Sequence, residues 1–221
     1  IFEGGESIKI TKKNNKRPSI TQNRGEKTEN FSKLVKKYPN CLIENEEFFF
    51  TTSNPEQKRN FLNKTLFYVE QTDALLLNSL KKIILQRSGC IKNKDFKQIR
   101  YWDEKLVEIE PKITKLNEAI CTEINNYLNK SSLVSVFEEK NPWIRDLSIK
   151  YYPGYENSFQ FSDVLAKNFE KDCILKRTSE GPHKRSFNIF LKNIDASEVL
   201  SRGQQKIISC LLYTSPSPRD G

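Results

Sequence analysis

Apolar residues recur along much of this chain at intervals of three and four, the period of a helix with one buried face. After Asn54-Pro55-Glu56-Gln57 they stand at Phe61, Leu62, Leu66, Val69, Leu76, Leu80, Ile83 and Ile84, up to Ser88-Gly89. Asn54 can cap, Pro55 suits a first helical position and Gln57 can complete a capping box, so the pattern predicts one long helix from Asn54 to Ser88-Gly89. A second stripe follows Trp102-Asp103 through Leu106, Ile109, Ile113, Leu116, Ile120, Ile124 and Leu128, with Pro111 as the expected kink. Two long helices joined by a short basic link predict an antiparallel arm.

Elsewhere the period shortens to two. Ile8–Thr11 and Ser19–Thr21 read as two short strands around a polar turn, too short to stand without partners. Ile144–Tyr151 alternates and is broken by Pro153-Gly154, and Phe187, Ile189 and Leu191 alternate with polar neighbours, so each predicts a strand. Between them, Ser162 is expected to open a helix containing Val164, Leu165, Phe169 and Cys173.

Composition adds limits. Of 221 residues, 36% are hydrophobic and 29% charged, and no apolar run reaches the roughly 18 residues of a membrane span, so no membrane partner and a cytoplasmic location are expected. The net charge of +9 favours a polyanion, although a chain this rich in Lys, Asn and Ile carries part of that charge as coding bias. Five scattered cysteines and one histidine, with no CxxC pair, fit neither a zinc site nor a disulfide framework. No metal ligands and no catalytic residues are assigned. The chain opens Ile1-Phe2-Glu3 and contains no methionine, so a missing N-terminal part is expected.

The segment with chemistry is Leu200-Ser201-Arg202-Gly203-Gln204-Gln205-Lys206, a small-residue turn just before the apolar Ile207-Ile208. A serine hydroxyl and a glycine amide at a helix N-terminus suit an anion, because free N–H groups and the helix dipole both favour it. The bland alternative is an ordinary capped helix. The stretch resembles the ABC ATPase signature, and its surroundings resemble the RecF family of recombination and repair ATPases. Gly181-Pro182-His183-Lys184-Arg185-Ser186 is similar to that family's Gly-Pro-His-Arg-Asp-Asp element, and Leu165–Asp172 to the helix before it. Pro55–Asn63 resembles its Pro-x-x-x-Arg-x-Phe-Leu-Asp block, while Leu80–Arg87 and Trp102–Leu106 match its helical arm. Five blocks in family order span about residues 5–209.

This resemblance implies a partial α/β ABC-type ATPase head with a long helical arm. Residues 1–50 become the remainder of the N-terminal nucleotide-binding lobe, 51–177 the mainly helical arm, and 178–209 the strand and signature segment. It further implies ATP with Mg²⁺ as cofactor of the intact protein, and Ser201, Gly203 and Gln204 as nucleotide contacts made in trans across an ATP-dependent homodimer. Single-stranded, gapped or junction DNA and other recombination mediator proteins are the implied partners, in gap repair and replication restart. Another SMC/ABC-type chromosome-maintenance ATPase, or a basic helical scaffold without a nucleotide site, are the alternatives.

Several positions depart from the family. Asn63 replaces Asp, Lys184-Arg185-Ser186 replaces Arg-Asp-Asp, and Asn45-Glu46-Glu47 stands where Pro-Glu-Asp is usual. No GxxxxGK[ST] phosphate loop is present; Arg24–Thr28 is only an echo of one, and a Walker B strand is absent too, so the chain alone is expected neither to bind ATP tightly nor to hydrolyse it. Residues 210–221 resemble the translation of a sequencing adapter and are expected to be a non-native tail, irregular from residue 213 onward.

Overall fold

The computed structural model describes residues 8–11, 19–22, 50–51, 55–69, 71–156 and 159–214. The chain divides into two compact units, Ile1–Leu42 and Ile43–Gly221. In the first, β1 (Ile8–Thr11) and β2 (Ser19–Gln22) pair antiparallel with Ile10 opposite Ile20, so the expected pair of short strands is present. Arg24–Thr28, Asn45–Glu47 and the expected cap Asn54 lie outside the described residues.

In the second unit α1 (Pro55–Val69) begins where Pro55 predicts, followed by α2 (Gln71–Asn93) and α3 (Phe96–Lys130). The single helix expected from Asn54 to Gly89 is therefore two elements, because its apolar stripe serves two cores. Leu62 and Leu66 pack with Phe50, Phe187 and Ile189, whereas Leu80 and Ile83 pack with Leu106, Ile109 and Ile113 of α3. Nor does α2 end at Ser88-Gly89. A Cβ at Gly89 would meet nothing, so the helix passes through it and stops at Lys94, whose φ of 57° turns the chain. There the Asp95 amide donates to the Cys90 carbonyl at 3.0 Å.

α3 starts at Phe96, ahead of the expected Trp102-Asp103, because the Asp95 carboxylate accepts from the Gln98 amide at 3.1 Å and caps it there. Pro111 sits inside this 35-residue helix, which continues past it. With a two-residue link, α2 and α3 form the expected antiparallel arm.

After α4 (Ser132–Lys140) comes a 3-10 turn at Pro142–Asp146, so β3 (Leu147–Tyr152) begins three residues later than the alternation at Ile144 suggested. Asn141-Pro142 closes that turn, the Ile144 amide donating to the Asn141 carbonyl at 3.0 Å. The helix expected from Ser162 starts at Phe161 and is divided into α5 (Phe161–Lys167) and α6 (Phe169–Leu175). At the break the Asn168 side-chain amide donates to the Val164 carbonyl at 2.9 Å, competing with the helical ladder.

A second 3-10 turn (Pro182–Lys184) leads to β4 (Ser186–Leu191), then β5 (Ile194–Asp195), α7 (Ala196–Val199) and α8 (Arg202–Thr214). β3, β4 and β5 form an antiparallel sheet in that order, with Ile149 opposite Ile189. β3 thus belongs to the sheet, although it falls within the stretch assigned to the arm. Its other edge is met by Asn125 of α3, whose side-chain amide donates to the Ile149 carbonyl and accepts from the Ile149 amide, both at 2.8 Å. Two loops meet at Gly154, where φ is +96° and a Cβ would lie 2.2 Å from the Gly181 carbonyl oxygen, so only glycine fits.

Residues Cys210–Thr214, expected as the start of a non-native tail, continue α8, and the irregular stretch expected from residue 213 is helical at Tyr213 and Thr214. Leu211 and Leu212 are buried, and Tyr213 packs edge-on against Phe50 with ring centroids 5.2 Å apart, which holds the helix to the core. Residues 215–221 lie outside the described set.

Candidate nucleotide-contacting turn

The turn before α8 is built from both sides. Upstream, Asp195 accepts from the Ser197 amide at 2.9 Å, starting α7, and the Leu200 amide donates to the Ala196 carbonyl at 3.1 Å, closing it. Downstream, Ile208, Leu211 and Leu212 anchor α8 in the core. Gln205 ties the first turn down: its side chain donates to the Leu200 carbonyl at 2.9 Å and accepts from the Thr51 hydroxyl at 2.7 Å.

Ser201 occupies the cap position. Its hydroxyl accepts from the Gln204 amide at 3.4 Å, and the Gln204 side chain accepts from the Ser201 amide at 2.9 Å. This reciprocal capping box makes the ordinary-cap reading correct as far as it goes. Gly203 is what a cap does not require. It sits inside the helix rather than at a positive φ, and a Cβ there would meet nothing within 4 Å. Helix propensity favours almost any other residue at such a place, so the fold itself gives no reason for a glycine.

Ser201, Arg202 and Gly203 are exposed and Gln204 is half-buried. All three residues expected as nucleotide contacts therefore lie together on one surface turn, at the positive end of a 13-residue helix. That arrangement can receive an anion on hydroxyl and backbone donors with no side chain in the way.

A second constellation was not anticipated. Arg87, fully buried, donates through Nε to Asp103 and through Nη1 to Asp172, each at 2.5 Å, and through Nη1 to the Thr178 hydroxyl at 3.0 Å. Asp172 also accepts from the Ser179 amide at 2.8 Å. Arg87 thereby joins both arm helices to α6 and to the loop that leads into Gly181-Pro182. Two of the quoted blocks contain Arg87 and Asp103, but nothing in either predicts that they pair.

No family model matches the chain. Over 187 residues it is 31% identical to the DNA replication and repair protein RecF of Pseudoalteromonas translucida, an alignment covering 83% of this chain and 50% of that protein. RecF of Hahella chejuensis is 28% identical over 222 residues, 96% of this chain and 58% of that one. The chain belongs to the RecF family. RecF of Vibrio cholerae is a further relative, 28% identical over 189 residues. The chain spans about half the length of the curated relatives it matches.

Among solved structures, one described as the recombination mediator protein RecF-ATP in the RecFOR pathway superposes with a TM-score of 0.75 at 17% identity, over 95% of this chain and 58% of that one. Its RecF-ATPrS counterpart gives 0.74. The expected partial ABC-type head with a helical arm is the fold observed, and the sheet of the second unit is wholly antiparallel. Among the described residues, no helix is long and apolar enough to cross a membrane, and no group of three or more His, Cys, Asp or Glu could hold a metal ion.

Proposed function

We propose that the chain is part of a RecF-type recombination mediator, an ATP-dependent DNA-binding protein of the cytoplasm. In this reading residues 1–50 complete a nucleotide-binding lobe, and the turn at Ser201 is the ABC signature. The observation that carries it is Gly203, a helical glycine that the chain's own packing does not explain and that leaves the backbone open to a ligand.

The residues present fit ATP. The Ser201 hydroxyl and the amides of the first turn of α8 would meet the γ-phosphate, and Gln204 would orient Ser201. Bound ATP supplies the charge that draws two heads together, with Mg²⁺ held by other parts of the whole protein. Ser201, Gly203 and Gln204 act in trans, on nucleotide bound to a second copy. The net charge of +9 suits single-stranded, gapped or junction DNA as the ligand of the closed dimer, with other mediator proteins as partners.

Fluorescence anisotropy of labelled gapped DNA, with and without ATP, tests the reading in the full-length protein. ATP is expected to strengthen DNA binding by the wild type and not by Ser201→Arg. Equal ATP enhancement in both proteins would rule out Ser201 as the trans contact.

A further inference from the structure

Two blocks that the signature does not use meet in the fold. Asn63 closes Pro55–Asn63 and Arg185 lies in Gly181–Ser186, and Nη2 of Arg185 donates to Oδ1 of Asn63 across 122 positions of sequence. Nη1 donates to the Pro182 carbonyl at 2.9 Å. Both acceptors are neutral, and Nε has no partner.

The Arg185 side chain is nevertheless buried, at 3% exposure. Burying a guanidinium strips its hydration, which is ordinarily offset by a carboxylate close by. Arg87, equally buried, has two. Arg185 has none among the described residues, and the nearby Arg59 adds repulsion.

The surroundings supply donors. Arg59 lies one turn before Asn63 on α1, half-buried, with no hydrogen bond or ion pair among the described residues. With its oxygen turned to Arg185, Asn63 has its amide nitrogen free to donate. Two guanidiniums and an amide with no carboxylate among them match the several acceptor oxygens of a tetrahedral anion.

We infer that Arg59, Asn63 and Arg185 form a site for a phosphate group, separate from the Ser201 turn and independent of the reading proposed for it. With the neutral Asn63 facing Arg185, the counter-charge comes from a ligand, either free phosphate or the backbone of a nucleic acid.

Thermal unfolding of the whole chain in inorganic phosphate, against chloride at matched ionic strength and without ATP, tests the inference. The melting temperature of the wild type should rise with phosphate, since a ligand that binds only the folded state stabilises it. Asn63→Asp supplies the missing carboxylate, so it should melt higher without phosphate and gain little on its addition. Arg59→Ala, at a half-buried side chain without a hydrogen bond or ion pair among the described residues, should fold normally and bind phosphate about tenfold more weakly, the effect of one lost charge-assisted contact. A wild type that ignores phosphate, or variants that respond as it does, would overturn the site. A short single-stranded oligonucleotide separates the sources: a backbone ligand predicts that Arg59→Ala also weakens oligonucleotide binding, and free phosphate predicts that it does not. Because no ATP or dimer is involved, failure here leaves the Ser201 reading untouched.

Discussion

Among the described residues Arg87 concentrates more charge-assisted contact than any other side chain, and its replacement should be correspondingly severe. Arg87→Ala would leave Asp172, 1% exposed, without its cation. Breaking a buried pair from one side costs about 3–5 kcal/mol, and urea unfolding should show an unfolding free energy lowered by that much, read as a lower midpoint at unchanged slope. A loss under about 1 kcal/mol would mean that Asp172 is held mainly by Ser179. His183 gives a second residue-scale expectation. Burial lowers its pKa from 6.5 to about 4, against the opposing hydrogen bond to the Thr178 carbonyl and with Lys184 and Arg59 adding to the lowering. The unfolded chain therefore binds the extra proton between these values. Stability is fully present above about pH 6.5 and falls as pH drops towards 4. As the only histidine in the chain, its ring resonances can be followed without ambiguity, and an apparent pKa near 6.5 in the folded state would contradict the buried placement. Neither residue was singled out by the sequence as buried, since a lone Arg on a helix and a lone His in a loop look alike whether solvated or enclosed.

At the scale of elements, periodicity located most helices and strands, and what it missed has a common cause. The stripe from Phe61 to Ile84 is continuous in sequence, yet its two halves face different cores, which only the positions of β4 and α3 could reveal. Ile144 fitted a strand pattern, but Pro142 had already committed it to a turn. The chain is expected to be irregular from residue 213 onward, whereas burial of Leu211 and Leu212 carries α8 to Thr214. For the candidate turn the reverse holds: Ser201 and Gln204 pair through a local capping interaction between residues three apart, and Gly203 stands out beside them through the resemblance to the signature. α8 also carries a prediction of its own. Gly203→Ala places a methyl group in open space on a helix, so it should stabilise the fold by roughly 0.5–1 kcal/mol in urea unfolding. Destabilisation instead would show that the glycine serves the chain's own structure and remove the main reason for assigning it a ligand.

At the scale of the whole molecule, the arm, the sheet and α8 are tied into one unit. Arg87 binds arm to α6, Asn125 binds arm to sheet, and Thr51 and Tyr213 bind α8 to the segment before α1. A contact made at the Ser201 turn is thus attached to the arm through packed elements, which suits a device where nucleotide closes two heads and DNA binding follows. The phosphate loop that would hold the nucleotide is not in this sequence. If Ser201 acts on nucleotide held by another copy, ATP binding and dimerisation become separable, whereas a single-subunit site would join them. The most direct measurement pairs ATP-binding titration with sedimentation velocity on full-length wild type and Ser201→Arg. The mutant is expected to bind ATP nearly as the wild type does while remaining monomeric, because loss of one or two charge-assisted hydrogen bonds, roughly 1.5–3 kcal/mol each, weakens association by an order of magnitude or more. A mutant that dimerises on ATP as the wild type does would contradict the account and leave Ser201 as a helix cap alone.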